Sequence, residues 1–335
     1  MSPSPLGILV LGGTAWLGRE FSRQAIDRGH AVWCLARGES GAVADGATLM
    51  RADRRQPAAY DEAREQQWDT VLDVSWQPGM VRGALAALGD RTRQWIYVSS
   101  GSVYASHARR DADEDAALLP ATEMDEVGIE LYGQAKVACE LVFREASRAE
   151  LLIARAGLIA GPGDPSDRAG YWVARAARDQ LGPMLVPDSP EATAQVIDVR
   201  DLARWLLECA ERRTTGTYDA VGPVVPLAEW IATSREVGGH SGPVVRADPA
   251  WLLERGVAEF MGEGSLPLWL ADPDWQGFAA RSGRRAAQAG LRHTPMRDTL
   301  CDILAWEREL GLDRPRKSGL SAAREAKLLA ALAAS

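Results

Sequence analysis

The sequence predicts an α/β fold in which a doubly wound parallel sheet is followed by a smaller, mainly helical C-terminal lobe. Three observations predict it. Short apolar runs alternate with helical patterns through the first half of the chain. A glycine loop joins the first run directly to the first helix. Later, the alternation gives way to Gly- and Pro-rich segments such as Gly161-Pro-Gly-Asp-Pro165. Apolar strands joined by helices imply right-handed crossovers and a sheet covered on both faces.

In chain order, the apolar runs predict strands at 7–11, 31–35, 70–74, 94–99 and 151–155, with a further strand shortly before Asp53. Period-3.6 patterns between them predict helices at 17–28, 60–67, 81–88 and 126–148. Beyond them, a helix is expected at 171–178, a strand at 194–199, a helix at 200–212 and a strand at 216–220. The remainder is read as helical, anchored by Trp230, Trp251, Trp269, Trp275 and Trp306 and closed by a helix at 321–334. No internal repeat is visible.

The loop Gly12-Gly13-Thr14-Ala15-Trp16-Leu17-Gly18 has the position of a dinucleotide-binding turn, between a first strand and a first helix. In such a turn, glycines let the backbone approach a pyrophosphate, and the helix N-terminus receives the negative charge. Gly12, Thr14, Ala15, Trp16, Leu17 and Gly18 are therefore the expected cofactor cradle, with Ala15 where a glycine is usual. An acid at the tip of the second strand would select the 2′-hydroxyl of NAD; an arginine would select the 2′-phosphate of NADP. The tip here reads Cys34-Leu35-Ala36-Arg37, so Arg37 predicts NADP(H) in preference to NAD(H). Asp53 and Arg54 are placed to hydrogen-bond and stack on the adenine. The chain is thus expected to divide into a dinucleotide-binding domain at 1–155, with segments around 194–220 interleaved, and a substrate lobe at 156–335.

Tyr132-Gly-Gln-Ala-Lys136 puts a phenol and an ammonium on one helix face. Six tyrosines and three lysines in 335 residues give roughly 0.05 such pairs by chance. The chain otherwise uses arginine for positive charge, so an interior lysine calls for a reason. An ammonium about 5 Å from a phenol favours phenolate by about 3 kcal/mol at an effective dielectric near 20, which suits tyrosine to acid–base work. Lysine's compact, rotatable donors also suit ribose hydroxyls. Upstream, Tyr97-Val-Ser-Ser-Gly-Ser-Val-Tyr104 ends a strand at the sheet's carboxyl edge, where α/β folds place ligands.

Together, GGTAWLG, Asp53-Arg54, YVSSGSVY and YGQAK resemble the extended short-chain dehydrogenase/reductase family, close to its NAD-dependent epimerase/dehydratase branch. The likeness continues through Ala154-Arg-Ala-Gly-Leu-Ile-Ala-Gly-Pro-Gly163 and Val196-Ile-Asp-Val-Arg-Asp201, and so spans about residues 6–220. It implies a Rossmann-type fold and a Ser–Tyr–Lys triad at Ser100, Tyr132 and Lys136, with Ser102 as a neighbouring candidate. Ser75 and Trp76 would flank the nicotinamide ribose, and the chain would form a homodimer. Two departures stand out: Ala15 in the glycine loop, and Ser100-Gly101-Ser102 where sugar-nucleotide 4,6-dehydratases carry an Asp-Glu pair. The second departure counts against dehydration.

The expected activity is hydride transfer between a nicotinamide and a small carbonyl or alcohol substrate held near Trp76, Ser102, Arg168, Trp172 and Gln195. Its rivals are a sugar-nucleotide epimerase with tightly held NAD and a non-catalytic nucleotide-sensing or RNA-associated relative. A net charge of −8 opposes nucleic-acid binding, which needs a basic face. The first apolar run is too short to read as a signal peptide core or a membrane span. Cys34, Cys139, Cys209 and Cys301 lack metal-binding or disulfide spacing. These features predict a cytoplasmic protein with no membrane, nucleic-acid or metal partner.

Overall fold

A computed structural model of the chain describes residues 4–334. The start of the N-terminal segment, Met1 to Pro3, and the last residue of the predicted lobe, Ser335, lie outside the described residues. Among the described residues, seven strands form one sheet: β1 (Gly7–Leu11), β2 (Ala31–Ala36), β3 (Thr48–Arg51), β4 (Trp68–Asp73), β5 (Thr92–Ser100), β6 (Glu150–Ala156) and β10 (Gly216–Ala220). Their spatial order is β10-β6-β5-β4-β1-β2-β3, and every pairing is parallel. The order reverses at β1, and that switch point opens a crevice at the strands' carboxyl ends.

Period-2 side-chain alternation explains the two covered faces. Ile8 and Val10 of β1 enter one core with Phe21 of α1 (Trp16–Asp27) and Trp205 and Leu206 of α6 (Val199–Arg212). Leu9 and Leu11 enter the opposite core, with Val81 and Leu85 of α3 (Pro78–Leu88) and Cys139 and Phe143 of α4 (Tyr132–Ala146). Each large apolar side chain so buried contributes about 1.5–3 kcal/mol. On α1, Leu17, Phe21 and Ala25 recur every four residues on the buried stripe.

Between β3 and β4, the predicted helix at 60–67 is a 3₁₀ turn at Pro57–Tyr60 followed by the single turn α2 (Asp61–Arg64). The predicted helix at 126–148 begins later, with Tyr132 as the first residue of α4. Gln77 explains the delay: its side-chain amide donates to the Val127 carbonyl at 3.0 Å, and its side-chain oxygen accepts the Val127 N–H at 2.9 Å. Those bonds hold the backbone before Gly128 outside the helix.

The C-terminal part is more mixed than a mainly helical reading implies. β7 (Leu158–Ala160), β9 (Thr193–Asp198) and β11 (Val224–Pro226) form a small sheet. β9, predicted at 194–199, therefore pairs outside the main sheet, whereas β10 joins it. β8 (Met184–Pro187) pairs with β12 (Val244–Ala247), and β13 (Ala258–Phe260) with β14 (Ser265–Pro267). α5 (Tyr171–Arg178), α7 (Leu227–Gly238), α8 (Pro249–Glu254), α10 (Met296–Leu310) and α11 (Ala322–Ala333) surround these strands, and α9 (Arg284–Gln288) adjoins β10. A separate apolar core centred on Trp172, Trp230 and Trp269 holds the lobe together.

A buried charged network ties the long β5–α4 connection to the sheet. Arg155 binds Glu140 through two bonds of 3.0 and 2.8 Å and donates to the Tyr104 hydroxyl at 3.0 Å. Tyr104 donates to Asp219 at 2.6 Å, and Asp219 also accepts from Arg281 at 2.8 Å. Pairing of this quality is what makes such burial tolerable.

Candidate active site

At the first turn, Gly12 has φ +102°, a left-handed setting that favours glycine, and a Cβ there would lie 2.6 Å from Val74. A Cβ on Gly18 would lie 2.5 Å from the Gly12 carbonyl oxygen, so helix and turn meet only because Gly18 lacks a side chain. Ala15 has φ −74° and ψ 154°, which alanine adopts without strain. It precedes α1, whose N-terminus has no side-chain cap and no acid in its first turn. Free N–H groups and the helix dipole therefore face the crevice, as an anionic pyrophosphate requires. On these grounds the residues present fit a dinucleotide.

The crevice, about 170 Å³, is lined by Gly12, Thr14, Ala15, Arg37, Asp53 and Ser75 among others. Arg37 forms a 3.0 Å ion pair with Glu39 and is about half exposed. Asp53 is held by Arg55 through its backbone N–H and guanidinium. These Arg55 hydrogen bonds lower its pKa to about 2.

Arg54 also lines this crevice. Its guanidinium is engaged in a bidentate pair with Asp73, at 3.0 and 2.7 Å. It also donates to the Tyr60 hydroxyl and the Met80 carbonyl. The Arg54 side chain is 7% exposed and that of Asp73 0%. Burial pushes the Asp73 carboxyl up, but the Arg54 charge and hydrogen bonds and those from Ser75 outweigh it and hold it below the ordinary range. Asp73 Oδ1 accepts both the Ser75 N–H (2.8 Å) and hydroxyl (2.6 Å). The Ser75 carbonyl then accepts from Lys136 Nζ at 2.8 Å and from the Tyr97 hydroxyl at 3.2 Å. An unbroken chain of polar contacts thus runs from Arg54 to Lys136.

Lys136 is 3% exposed. Its ammonium also donates to the Val98 carbonyl at 2.6 Å and lies 4.8 Å from the Tyr97 ring centroid and 5.9 Å from that of Tyr132. Among the described residues no carboxylate pairs with it. Tyr132 packs on Trp76 with ring centroids 5.5 Å apart. Ser100 accepts the Ser102 N–H at 3.1 Å and shares a 3.2 Å hydroxyl contact with Ser102. Ser100, Ser102, Tyr132 and Lys136 all line one cleft of about 970 Å³, together with Ala15, Trp16 and Leu17. Trp16 donates its indole N–H to the Pro162 carbonyl at 2.8 Å, joining the glycine loop to the turn after β7.

Arg168 reaches this cleft, but Trp172 and Gln195 do not. Trp172 is fully buried in the lobe core and donates to the Pro267 carbonyl at 2.7 Å. The Gln195 amide clamps the Gly222 and Arg281 carbonyls and accepts the Arg281 N–H. Both are framework residues; their polar groups satisfy buried backbone instead of facing a ligand. Sequence reasoning missed Asp73 and Tyr97, although an acid ending an apolar run (Val71-Leu72-Asp73) signals a buried pair. It also missed the far wall, including Asp164, Glu259, Phe260, Met261 and Phe278, whose spacing carries no periodic signal.

The model of the NAD dependent epimerase/dehydratase family matches residues 8–221. The chain is 42% identical over 71 residues to the photosystem II assembly factor Ycf39 of Synechocystis; the match covers 20% of this chain and 22% of that protein. Among solved structures, a Burkholderia cenocepacia J2315 protein proposed to be an epimerase is similar with a TM-score of 0.69, at 22% identity, over 92% of this chain and all (100%) of that one. The UDP-N-acetylglucosamine 4-epimerase of Bacillus cereus superposes with a TM-score of 0.66 at 14% identity, covering 92% and 99%. WbmH of Bordetella bronchiseptica, solved in complex with NAD+, gives 0.65 at 15% identity, covering 91% and 99%. At these identities the structural likeness establishes the fold. No helix among the described residues is long and apolar enough to cross a membrane.

Proposed function

The chain belongs to the NAD dependent epimerase/dehydratase family, and from that premise we propose that it is a nicotinamide-dinucleotide oxidoreductase acting on a carbonyl compound or the corresponding alcohol. One observation carries the reading. A buried ammonium without a carboxylate partner is costly to maintain, yet Lys136 is held in that state by two backbone carbonyls beside Tyr132, on the floor of the cleft. Two of its three N–H groups are committed, and the third is available to a ribose hydroxyl.

When bound, the dinucleotide supplies or accepts the hydride. Gly12, Thr14, Ala15 and the first N–H groups of α1 would hold its pyrophosphate, and Ser75 and Lys136 its nicotinamide ribose. Tyr132 moves the proton to or from the substrate oxygen. Ser100 donates a hydrogen bond to that oxygen and fixes its position, with Ser102 supporting the Ser100 hydroxyl. Lys136 Nζ faces the phenol ring from 5.9 Å.

NADP(H) is the proposed form. What supports it is that Arg37 lines the crevice and could exchange its exposed Glu39 partner for a 2′-phosphate, while Asp53 is held by Arg55. The decisive experiment titrates the protein with NADPH and NADH, following tryptophan quenching, and assays hydride exchange with a carbonyl panel for wild type and Tyr132→Phe. Loss of roughly 10²–10⁴ in turnover with unchanged cofactor affinity is expected; full turnover in the variant would overturn the mechanism. The family assignment favours a second reading, a sugar-nucleotide epimerase retaining NAD through its cycle. Copurified NAD without net NADPH consumption would select it.

A further inference from the structure

The cleft's far wall bears on the substrate class, given the hydride-transfer reading above. A nucleoside diphosphate brings two anionic phosphates, and sites for them are built from cations, helix N-termini or clustered backbone donors. Away from Lys136, the charged side chains lining this cleft are Asp164, Arg168, Glu259 and Asp272: three acids and one base. Arg168, the one base, is engaged through Nε and one face of its guanidinium and keeps Nη2 for a ligand. Its Nε donates to Ser166 at 3.0 Å, and its guanidinium lies 5.3 Å from the Phe260 ring centroid. One Glu259 oxygen accepts backbone N–H groups from Ala271 and Asp272. Asp164 keeps one buried oxygen without a partner. This wall repels a diphosphate.

The remaining surface is apolar and largely aromatic. Phe260 meets Phe278 edge-on at 5.2 Å, Phe278 adjoins Trp275 at 5.8 Å, and Trp275 stacks on His107 at 4.8 Å. Phe260 has φ +62°, a backbone setting that an aromatic residue rarely adopts. The Phe260 N–H donates to Trp269 at 2.8 Å and its carbonyl accepts from Leu268 at 3.2 Å, holding the turn in place. Three of the chain's exposed large apolar side chains converge on this same cleft: Ile129 (74% exposed), Met261 (56%) and Trp275 (44%). A clustered apolar exposure rimmed by a few polar groups marks a ligand surface.

We propose that the substrate is an uncharged aryl or polycyclic carbonyl compound, or its alcohol, whose ring system lies against Phe260, Met261, Trp275 and Phe278. Its reacting oxygen points to Tyr132 and Ser100, and Arg168 is offered to a neighbouring oxygen. This assignment separates the protein from the UDP-sugar epimerases whose fold it shares.

The test uses the NADPH-loaded protein, titrated calorimetrically with 2-naphthaldehyde and, separately, with UDP and UDP-glucose. Saturable naphthaldehyde binding is expected, with no heat from either uridine ligand at millimolar concentration. Trp275→Ala and Met261→Ala, both at exposed positions, should each weaken naphthaldehyde binding about tenfold while leaving NADPH affinity unchanged. UDP or UDP-glucose binding more tightly than naphthaldehyde, or naphthaldehyde binding indifferent to both substitutions, would overturn the assignment. Its failure is distinguishable from failure of the oxidoreductase reading. Variant-sensitive naphthaldehyde binding without NADPH oxidation supports the substrate class and removes hydride transfer. UDP-glucose binding with cofactor-dependent epimerisation keeps hydride transfer and removes the substrate class.

Discussion

Arg54→Met tests the chain of contacts beneath the cofactor crevice. The substitution preserves much of the side-chain volume but removes both bonds to Asp73, whose side chain is 0% exposed. Asp73 would keep only its two bonds from Ser75, leaving a buried carboxylate without its counter-charge. Breaking such a pair costs about 3–5 kcal/mol, or roughly 6–10 °C in Tm at about 2 °C per kcal/mol for a chain of this size. The pH dependence should also reverse. In the wild type, the Asp73 carboxyl is held below its ordinary range, so its contribution is complete above the unfolded pKa and is lost as pH falls through the folded one. In Arg54→Met, burial without the guanidinium raises the carboxyl, so stability is recovered as pH falls towards 5. Urea unfolding at pH 8 and pH 5 measures both effects. Pairing the variant with Asp73→Asn should restore at least half of the loss, because the stranded charge is gone. A loss below about 1 kcal/mol with the wild-type pH slope would refute the reasoning, since the pair would then be no more than a surface interaction.

Other expectations follow from single contacts. Arg37→Ala should lower the NADPH-to-NADH affinity ratio by about ten- to a hundredfold, measured by fluorescence titration; an unchanged ratio would remove Arg37 from cofactor selection. Gly18→Ala places a methyl group 2.5 Å from the Gly12 carbonyl, so about 1–3 kcal/mol of stability and most dinucleotide affinity should be lost together. Retained affinity would show that the turn can shift freely. Burial, and secondarily the Arg281 charge, lowers the His107 pKa to about 4. Because the folded value lies below the unfolded one, the stabilisation is complete above pH 6.5 and is lost as pH falls from 6.5 to 4. The ring is partly solvated, so the loss should be about 1–2 kcal/mol, and it should vanish in His107→Phe. Equal pH slopes for wild type and variant would exclude His107 as the source.

Local pattern accounts for what was legible in the sequence. The spans of β1, α5 and β10 follow from local pattern, because no contact from a distant segment shifts their ends. Tyr132 and Lys136 were found for the same reason: a spacing of four fixes two side chains on one helix face whatever surrounds them. The glycine loop was legible because Gly12 and Gly18 answer short-range steric demands. The start of α4 was not, since Gln77, fifty residues away, holds Val127 out of the helix.

Tertiary structure decided the partners of polar and aromatic groups, which no local pattern encodes. Arg54 reads from its neighbours as an adenine contact; its pair with Asp73, nineteen residues away, is set only by the fold. Gln195 and Trp172 read as substrate contacts, but backbone carbonyls 27–95 residues distant claim their hydrogen bonds. The sequence by itself determined the doubly wound sheet, the dinucleotide turn and the tyrosine–lysine pair. Only the folded chain decided which charges are neutralised inside it and which aromatic rings remain to line the cleft. The physical reason is that a buried polar group must find a partner, and that partner is set by the packing of distant segments.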